Sequence, residues 1–323
     1  VKLRCERDTL VEALQTAGRA VSGRGGQLPV LSGLHLVLSG DQLVVTGSDL
    51  ELTIARTLEV NGETDGSAVI PAKLLIDVVR SLEAGAIELD LSELNLTIRG
   101  GRSEFSIRTI PTDEFPQLAS AEGPAVTIEA ASFVAALKQV VPAASSDDSR
   151  PILTGVLLTP VEAGLRLVAT DSYRLAVSDI PGASVLEGDQ SVLVPSRALA
   201  EVRRVVGDAP ELTLRLGESD AAFVVDGLVV TTRLIDGDFP KYEGLIPKGD
   251  SNALKVSREM MLDAVRRVRL LAQESTPLRL VMNGDGLEIV AITQDVGEGH
   301  ESVDATTPGN DNFLYLLMPV RVP

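Results

Sequence analysis

Catalysis needs nucleophiles, bases or metal ligands, and this sequence is short of all three. In 323 residues it has two histidines, His35 and His300, and one cysteine, Cys5. That is too little for a transition-metal centre of Cys and His ligands, or for a Ser/His or Cys/His nucleophile pair. What remains is carboxylate. The run Ser145-Ser146-Asp147-Asp148 sets two acids beside two hydroxyls, but it lacks a partner base or metal-ligand spacing and reads as a loop joining a helix to a strand. Arg24-Gly25-Gly26 reads as a plain loop, because neither the G-x-x-x-x-G-K-[ST] nor the G-x-G-x-x-G pattern occurs. No catalytic residue, metal or cofactor is expected.

The elements that carry these residues belong to an ordinary globular chain, 44% apolar and 23% charged. Its length suits two or three domains. No apolar run reaches the roughly 18 residues of a membrane span. The charged stretch Val1 to Asp8 is unlike a signal peptide, and a single cysteine cannot form an internal disulfide. These signs favour the cytoplasm. The net charge of −17, taken alone, argues against nucleic acid.

A repeat organises the chain. Segments 7–21, 130–144 and 257–272 have apolar residues at helical spacing. Each is followed by a loop and two strand-like runs. Pro29 recurs as Pro151 and Asp49 as Asp171, both 122 residues on; Asp295 lies 124 beyond Asp171. A second block has Pro71, then Pro195 124 residues on, in the first turn of a further helix. Phe115-Pro116 recurs as Phe239-Pro240 after the same shift. Each unit is therefore helix, strands, helix, strands, with both helices on one face of antiparallel sheet, an α+β class. Turn-formers at Gly123-Pro124 and Lys248-Gly249-Asp250-Ser251 place the domains at 1–123, 124–250 and 251–323.

The third unit is short. Its last strand, Asn312 to Pro323, aligns with the strands ending at Pro111 and Asp236. The first shift is 125 and the second only 83, so about 40 residues are missing between Ala305 and Asn312. The absent piece is the Pro-started helix with its neighbouring strands. Either the chain carries a true deletion or the sequence skips an unread segment. The second fits better, because a core that loses a helix and strands hardly folds.

Charge is layered. The helix segments 7–21, 72–83, 130–144, 196–206 and 257–272 hold 12 Lys/Arg and 7 Asp/Glu, a net of +5. The rest of the chain carries −22. The plain reading is a solvated helix face. The sharper one is a helical layer facing a polyanion, with acidic strands elsewhere. Few aromatics accompany the arginines, which favours contact with duplex phosphates over base stacking.

The three-unit plan, with Val168–Val177 (VATDSYRLAV), Asp236–Pro247 (DGDFPKYEGLIP) and Tyr315–Pro323 (YLLMPVRVP), resembles the bacterial DNA polymerase III β subunit, the sliding clamp. The resemblance implies three tandem clamp-type domains, the third incomplete, and a head-to-tail homodimer closed into a ring around duplex DNA. Helices would line the hole. The protein would be a non-catalytic processivity factor of DNA replication. A paralogue specialised for repair or drug resistance is the alternative, left open by Ser172-Tyr173, where the family commonly has Gly-His, and by Gly244, where it has Arg.

The family's pocket between the second and third units binds short peptides of the polymerase α subunit, the clamp loader and other partners. Its wall carries over to Leu153, Thr170, Ser172, Tyr173, Arg174, Leu175, Pro240, Leu245, Leu316, Leu317, Met318, Pro319, Val320 and Arg321. An apolar cleft with a few polar groups suits such a ligand. Without the resemblance, Leu316 to Met318 would read as a core strand. The dimer interface carries over to Phe105 and Ile107, facing Leu270 and Leu271 of the other subunit, with core packing as the competing reading. Candidate DNA contacts are Arg24, Lys73, Arg80, Lys138, Arg150, Arg197, Arg203, Arg204, Arg266 and Arg267.

Overall fold

The structure, a computed structural model, describes all residues except 22–27, 93, 113–114, 117–120, 122, 163, 183–189, 247–254, 274–275, 284–285, 307–314 and 320–323. Two compact bodies form, Val1–Pro240 and Lys241–Pro323.

The first body holds two copies of the repeat. The first runs β1 (Lys2–Glu6), α1 (Arg7–Gly18), β2 (Gly33–Ser39), β3 (Gln42–Ser48), β4 (Leu52–Glu59), β5 (Asn61–Thr64), β6 (Gly66–Pro71), α2 (Ala72–Ser81), β7 (Ala86–Ser92), β8 (Asn95–Gly100) and β9 (Ser103–Arg108). The second runs β10 (Ala125–Glu129), α3 (Ala130–Val140), β11 (Gly155–Val161), β12 (Gly164–Thr170), β13 (Leu175–Pro181), β14 (Val192–Pro195), α4 (Ser196–Val205), β15 (Glu211–Leu216), β16 (Asp220–Val225) and β17 (Leu228–Arg233).

The helices form where the apolar spacing asks for them. Leu10, Ala13, Leu14 and Ala17 bury one face of α1. Phe133, Ala136, Leu137 and Val140 bury the same face of α3, each 123 residues on. The helices end one to four residues sooner than the segments read from the sequence. After α3, for example, the pattern runs on through a short 3-10 turn, Val141–Ala143. Pro71 and Pro195 close β6 and β14 and act as N-caps rather than lying inside the first turn. A missing N–H is tolerated at a strand end for the same reason as at a helix start. Gly47 shows how closely α1 lies on β3, since a Cβ there would come within 2.1 Å of the Ala17 carbonyl oxygen.

The sheets depart from the expectation of one sheet per unit. Each of these domains divides its strands between two sheets, and one sheet is common to both domains. Its order is β10-β15-β16-β17-β4-β3-β2-β6. The junction is an antiparallel ladder from Leu228↔Arg56 to Thr232↔Leu52. The other two sheets are β5-β1-β7-β8-β9 and β13-β12-β11-β14. Apolar packing crosses the junction as well: Ala20, Leu52 and Ile54 of the first domain lie in the core of the second, which is centred on Phe133 and Phe223.

The second body runs β18 (Lys255–Val256), α5 (Arg258–Val268), β19 (Pro277–Asn283), β20 (Gly286–Thr293), β21 (Gly297–Thr306) and β22 (Tyr315–Pro319). The Ser257 hydroxyl caps α5 by accepting from the Met260 N–H at 3.5 Å. The sheet order is β18-β21-β20-β19-β22. Here the structure corrects the alignment of the last strand. β22 is not the counterpart of β9 and β17. It lies beside β19 as β6 lies beside β2 and β14 beside β11, with Pro319↔Pro277 matching Pro71↔Gly33 and Pro195↔Gly155. Pro71, Pro195 and Pro319 are evenly spaced at 124. The physical reason is the open edge of β19, whose unpaired backbone groups take the next apolar strand. The expected junction between Ala305 and Asn312 falls on 307–314, outside the described residues.

The helix of this body is also less covered. α1 packs on α2 and α3 on α4, so Leu10, Leu14, Phe133 and Leu137 are fully buried. Among the described residues α5 has no second helix. Met261 and Val265, at the equivalent positions, are only partly buried.

Candidate functional site

Among the described residues the five α-helices carry ten Lys/Arg against six Asp/Glu, net +4. Most of the candidate DNA contacts, however, are paired. Arg80 meets Asp77 at 2.8 Å, Arg204 meets Glu201 at 3.2 Å and Arg266 meets Asp263 at 3.4 Å, each one helical turn apart. Arg150 holds Asp147 at 3.0 Å. Arg267 makes a two-pronged contact with Glu301 of β21, at 2.7 and 2.9 Å. Arg197 is bound to Asp49 of the first domain at 2.6 Å. Lys73, Lys138 and Arg203 make no ion pair among the described residues, and the two lysines are exposed while Arg203 is partly so. Arg24 lies outside the described residues. The cationic face is therefore diffuse, with few point charges aimed outward.

The Ser145–Asp148 run is a self-satisfied turn. The Asp147 Oδ1 atom accepts from the Ser149 hydroxyl at 2.7 Å and its N–H at 3.1 Å. Led by the Ser149 hydroxyl, these bonds and Arg150 hold the Asp147 carboxyl below its ordinary range, which is the opposite of what a general base poised near neutrality needs.

Thr170 to Leu175, expected in the peptide pocket, come together in one turn between β12 and β13. Ser172 has φ +78, in the left-handed region that costs a non-glycine residue energy. The turn is held by Asp171, which sequence reasoning used as a repeat marker and not as a site residue. Asp171 is 3% exposed. Its Oδ1 accepts the N–H groups of Tyr173 and Arg174, both at 3.0 Å, and its Oδ2 accepts Arg174 Nε at 3.0 Å. Burial alone would raise its pKa. The two backbone donors and the Arg174 guanidinium outweigh burial and hold the carboxyl below the ordinary range. The Thr170 hydroxyl donates to the Arg174 carbonyl at 2.7 Å. With the backbone so fixed, Tyr173 is pushed out, 76% exposed.

Leu153 is partly buried and Pro240 exposed. In the second body Leu245 is exposed. Leu316, Leu317, Met318 and Pro319 have their backbone in β22, and Val320 and Arg321 lie outside the described residues. Of the expected interface residues, Phe105 is 39% and Leu270 83% exposed. Leu271 is partly buried, its carbonyl accepting from the Thr293 hydroxyl. Ile107 is a correction. At 3% exposure it belongs to the first domain's core, because α2 packs over that part of β9.

Tandem helix-and-sheet modules with cations gathered on the helices define a clamp-type architecture. Family models of the DNA polymerase III beta subunit match its N-terminal domain at residues 1–119, its central domain at 127–241 and its C-terminal domain at 243–315, and the chain belongs to that family. The Beta sliding clamp of Micrococcus luteus is 34% identical over 316 residues, covering 95% of this chain and 99% of that protein. The one from Streptomyces coelicolor is 32% identical, covering 96% and 84%. Among solved structures, a DnaN sliding clamp from Bartonella birtlesii bound to griselimycin superposes with a TM-score of 0.91 at 27% identity, covering 98% of this chain and 86% of that one. No helix among the described residues is long and apolar enough to cross a membrane.

Proposed function

We propose that this chain is a non-catalytic processivity clamp that closes as a head-to-tail homodimer around duplex DNA and holds the replicative polymerase through peptide contacts. The observation that carries the reading is the gathering of cations on the helices of a repeated module otherwise strongly acidic. It agrees with the family assignment. Weak phosphate contact suits a clamp that must slide, since base-reading contacts would stop it. Strand pairing across the seam is supported by the β17–β4 ladder. That ladder shows how one domain's edge strand extends the next domain's sheet, and β9 has an edge with no partner among the described residues. The peptide surface centres on the Thr170–Leu175 turn. The polymerase α subunit and the clamp loader, as carriers of clamp-binding peptides, are its partners. A specialised paralogue is not favoured, because the curated relatives named above are both called Beta sliding clamp.

The test is retention on DNA after loading by a clamp loader. Nicked circles should keep the protein while linear duplex of equal length loses it. Equal loss from both would end the ring proposal. Direct affinity for linear duplex should fall with salt at a slope no steeper than about −7 on log–log axes, as expected if each subunit offers Lys73, Lys138, Arg203 and Arg258, the exposed or partly exposed helix cations with no ion pair among the described residues. A much steeper slope would mean that the paired arginines also reach phosphate.

A further inference from the structure

The turn between β3 and β4 repeats the Asp171 turn with one exchange. Asp49 Oδ1 accepts the N–H groups of Glu51 at 3.1 Å and Leu52 at 2.8 Å. The left-handed residue here is Leu50, φ +77. In the second domain the cation on the turn's carboxylate is Arg174, three residues beyond the Asp. In the first domain that position is Leu52, which is buried in the core of the second domain. The first turn therefore has no cation of its own, and Asp49 Oδ2 is met by Arg197 from the first turn of α4.

One helical turn further along α4, Glu201 also turns toward the first domain. Arg19, at the end of α1, approaches its Oε2 at 3.7 Å. That Oε2 is buried and accepts no hydrogen bond among the described residues. Residues four apart on a helix share a face, so Arg197 and Glu201 form a two-pronged contact of alternating charge, met by Asp49 and Arg19. Beside it runs the β17–β4 ladder, where the Arg56 guanidinium donates to the Asp226 carbonyl and the Arg233 N–H to the Glu51 carbonyl at 3.0 Å.

We infer that Arg197 and Glu201 are positioning residues, a charge clip that sets the angle between the first two domains, and that Arg197 is spent on this joint and not on DNA phosphate. The inference deepens the clamp reading but does not depend on it, because the joint can be measured without DNA.

The experiment places spin labels on exposed helix positions of the two domains, Glu12→Cys and Gln139→Cys, in the full chain. Cys5 can stay, because it is buried and burial, with Glu6 nearby, pushes its thiol up to about 12, out of reach of thiol labels at neutral pH. With the labelled chain diluted in excess unlabelled chain, so that only distances within one subunit are read, the parent should give one narrow distance distribution. Arg197→Gln and Glu201→Arg should each broaden or shift it. The double reversal Arg19→Glu with Glu201→Arg should restore it, a rescue that loss of folding would not show. Circular dichroism melts on the same variants give a second reading, as non-additivity between positions 19 and 201. Unchanged distances in both single variants, with additive melts, would overturn the clip. So would an Arg197→Gln variant that keeps the parent distances but loses linear-duplex affinity as much as Lys138→Gln does.

Discussion

A Phe105→Glu, Leu270→Glu variant is expected to sediment as a monomer at micromolar concentration and to be lost from nicked circles as fast as from linear DNA. Phe105 and Leu270 are large apolar side chains left in water, 39% and 83% exposed, in the strand and the helix end assigned to the proposed seam. Burying a side chain of this size contributes about 2 kcal/mol. A two-fold ring has two seams, so the removed apolar term reaches about 8 kcal/mol before the penalty of burying carboxylates. A rise of more than about a thousandfold in the dimer dissociation constant is a conservative expectation. Ile107→Ala separates the seam from the core. Its side chain is inside the first domain, so it should cost about 2–4 kcal/mol of stability and leave the dimer intact below the melting temperature. A double glutamate variant that remains a dimer would refute the seam assignment.

The second large effect is expected at Asp171. Replacing it with alanine removes the acceptor for two backbone N–H groups and one guanidinium at a nearly closed site. The left-handed Ser172 then loses the bonds that impose its conformation. A loss of about 2–4 kcal/mol is expected. Affinity for a polymerase-derived peptide should fall at least about tenfold, while the dimer persists. The pH dependence follows from the direction of the shift. The folded carboxyl lies below its ordinary value of 3.8, so above that value Asp171 contributes its full stabilisation. The contribution disappears as pH falls from there through the lower folded value. Asp171→Asn keeps an acceptor for the N–H groups but has no charge to titrate. Its stability between neutral pH and pH 3 should therefore decline less steeply than that of the parent. Parallel curves would show that Asp171 does not carry this linkage.

The repeat was legible because it is written in residues whose roles are local. Apolar faces recur 123 apart in α1 and α3, and the carboxylate turn recurs at Asp49 and Asp171. What the residue pattern hid is set by distance. Asp49 and Arg197 are 148 residues apart, and no local rule pairs them, though Leu52 standing where Arg174 stands in the next copy was a visible hint. Phe105 and Ile107 share one face of β9 by strand alternation, yet they differ in exposure because α2 covers only part of that face. The basic helix layer was countable. Which arginines are free was not, since Arg267 finds Glu301 on a strand and Arg80 finds Asp77 on its own helix. The place of the last strand is not legible in the sequence, because strands ending in proline resemble one another and only the pairing with β19 tells them apart.

The sheet shared between the first two domains also bears on how the chain comes apart. With Leu52 and Ile54 in the core of the second domain and a ladder running from Leu228↔Arg56 to Thr232↔Leu52, neither of these domains can melt without stripping the other's core. Their unfolding is expected to be one cooperative event spanning Val1–Pro240, so the number of heat-absorption peaks in calorimetry should be smaller than the number of repeats. Duplication copied the module, and sharing a sheet fused two of the copies into a single thermodynamic object.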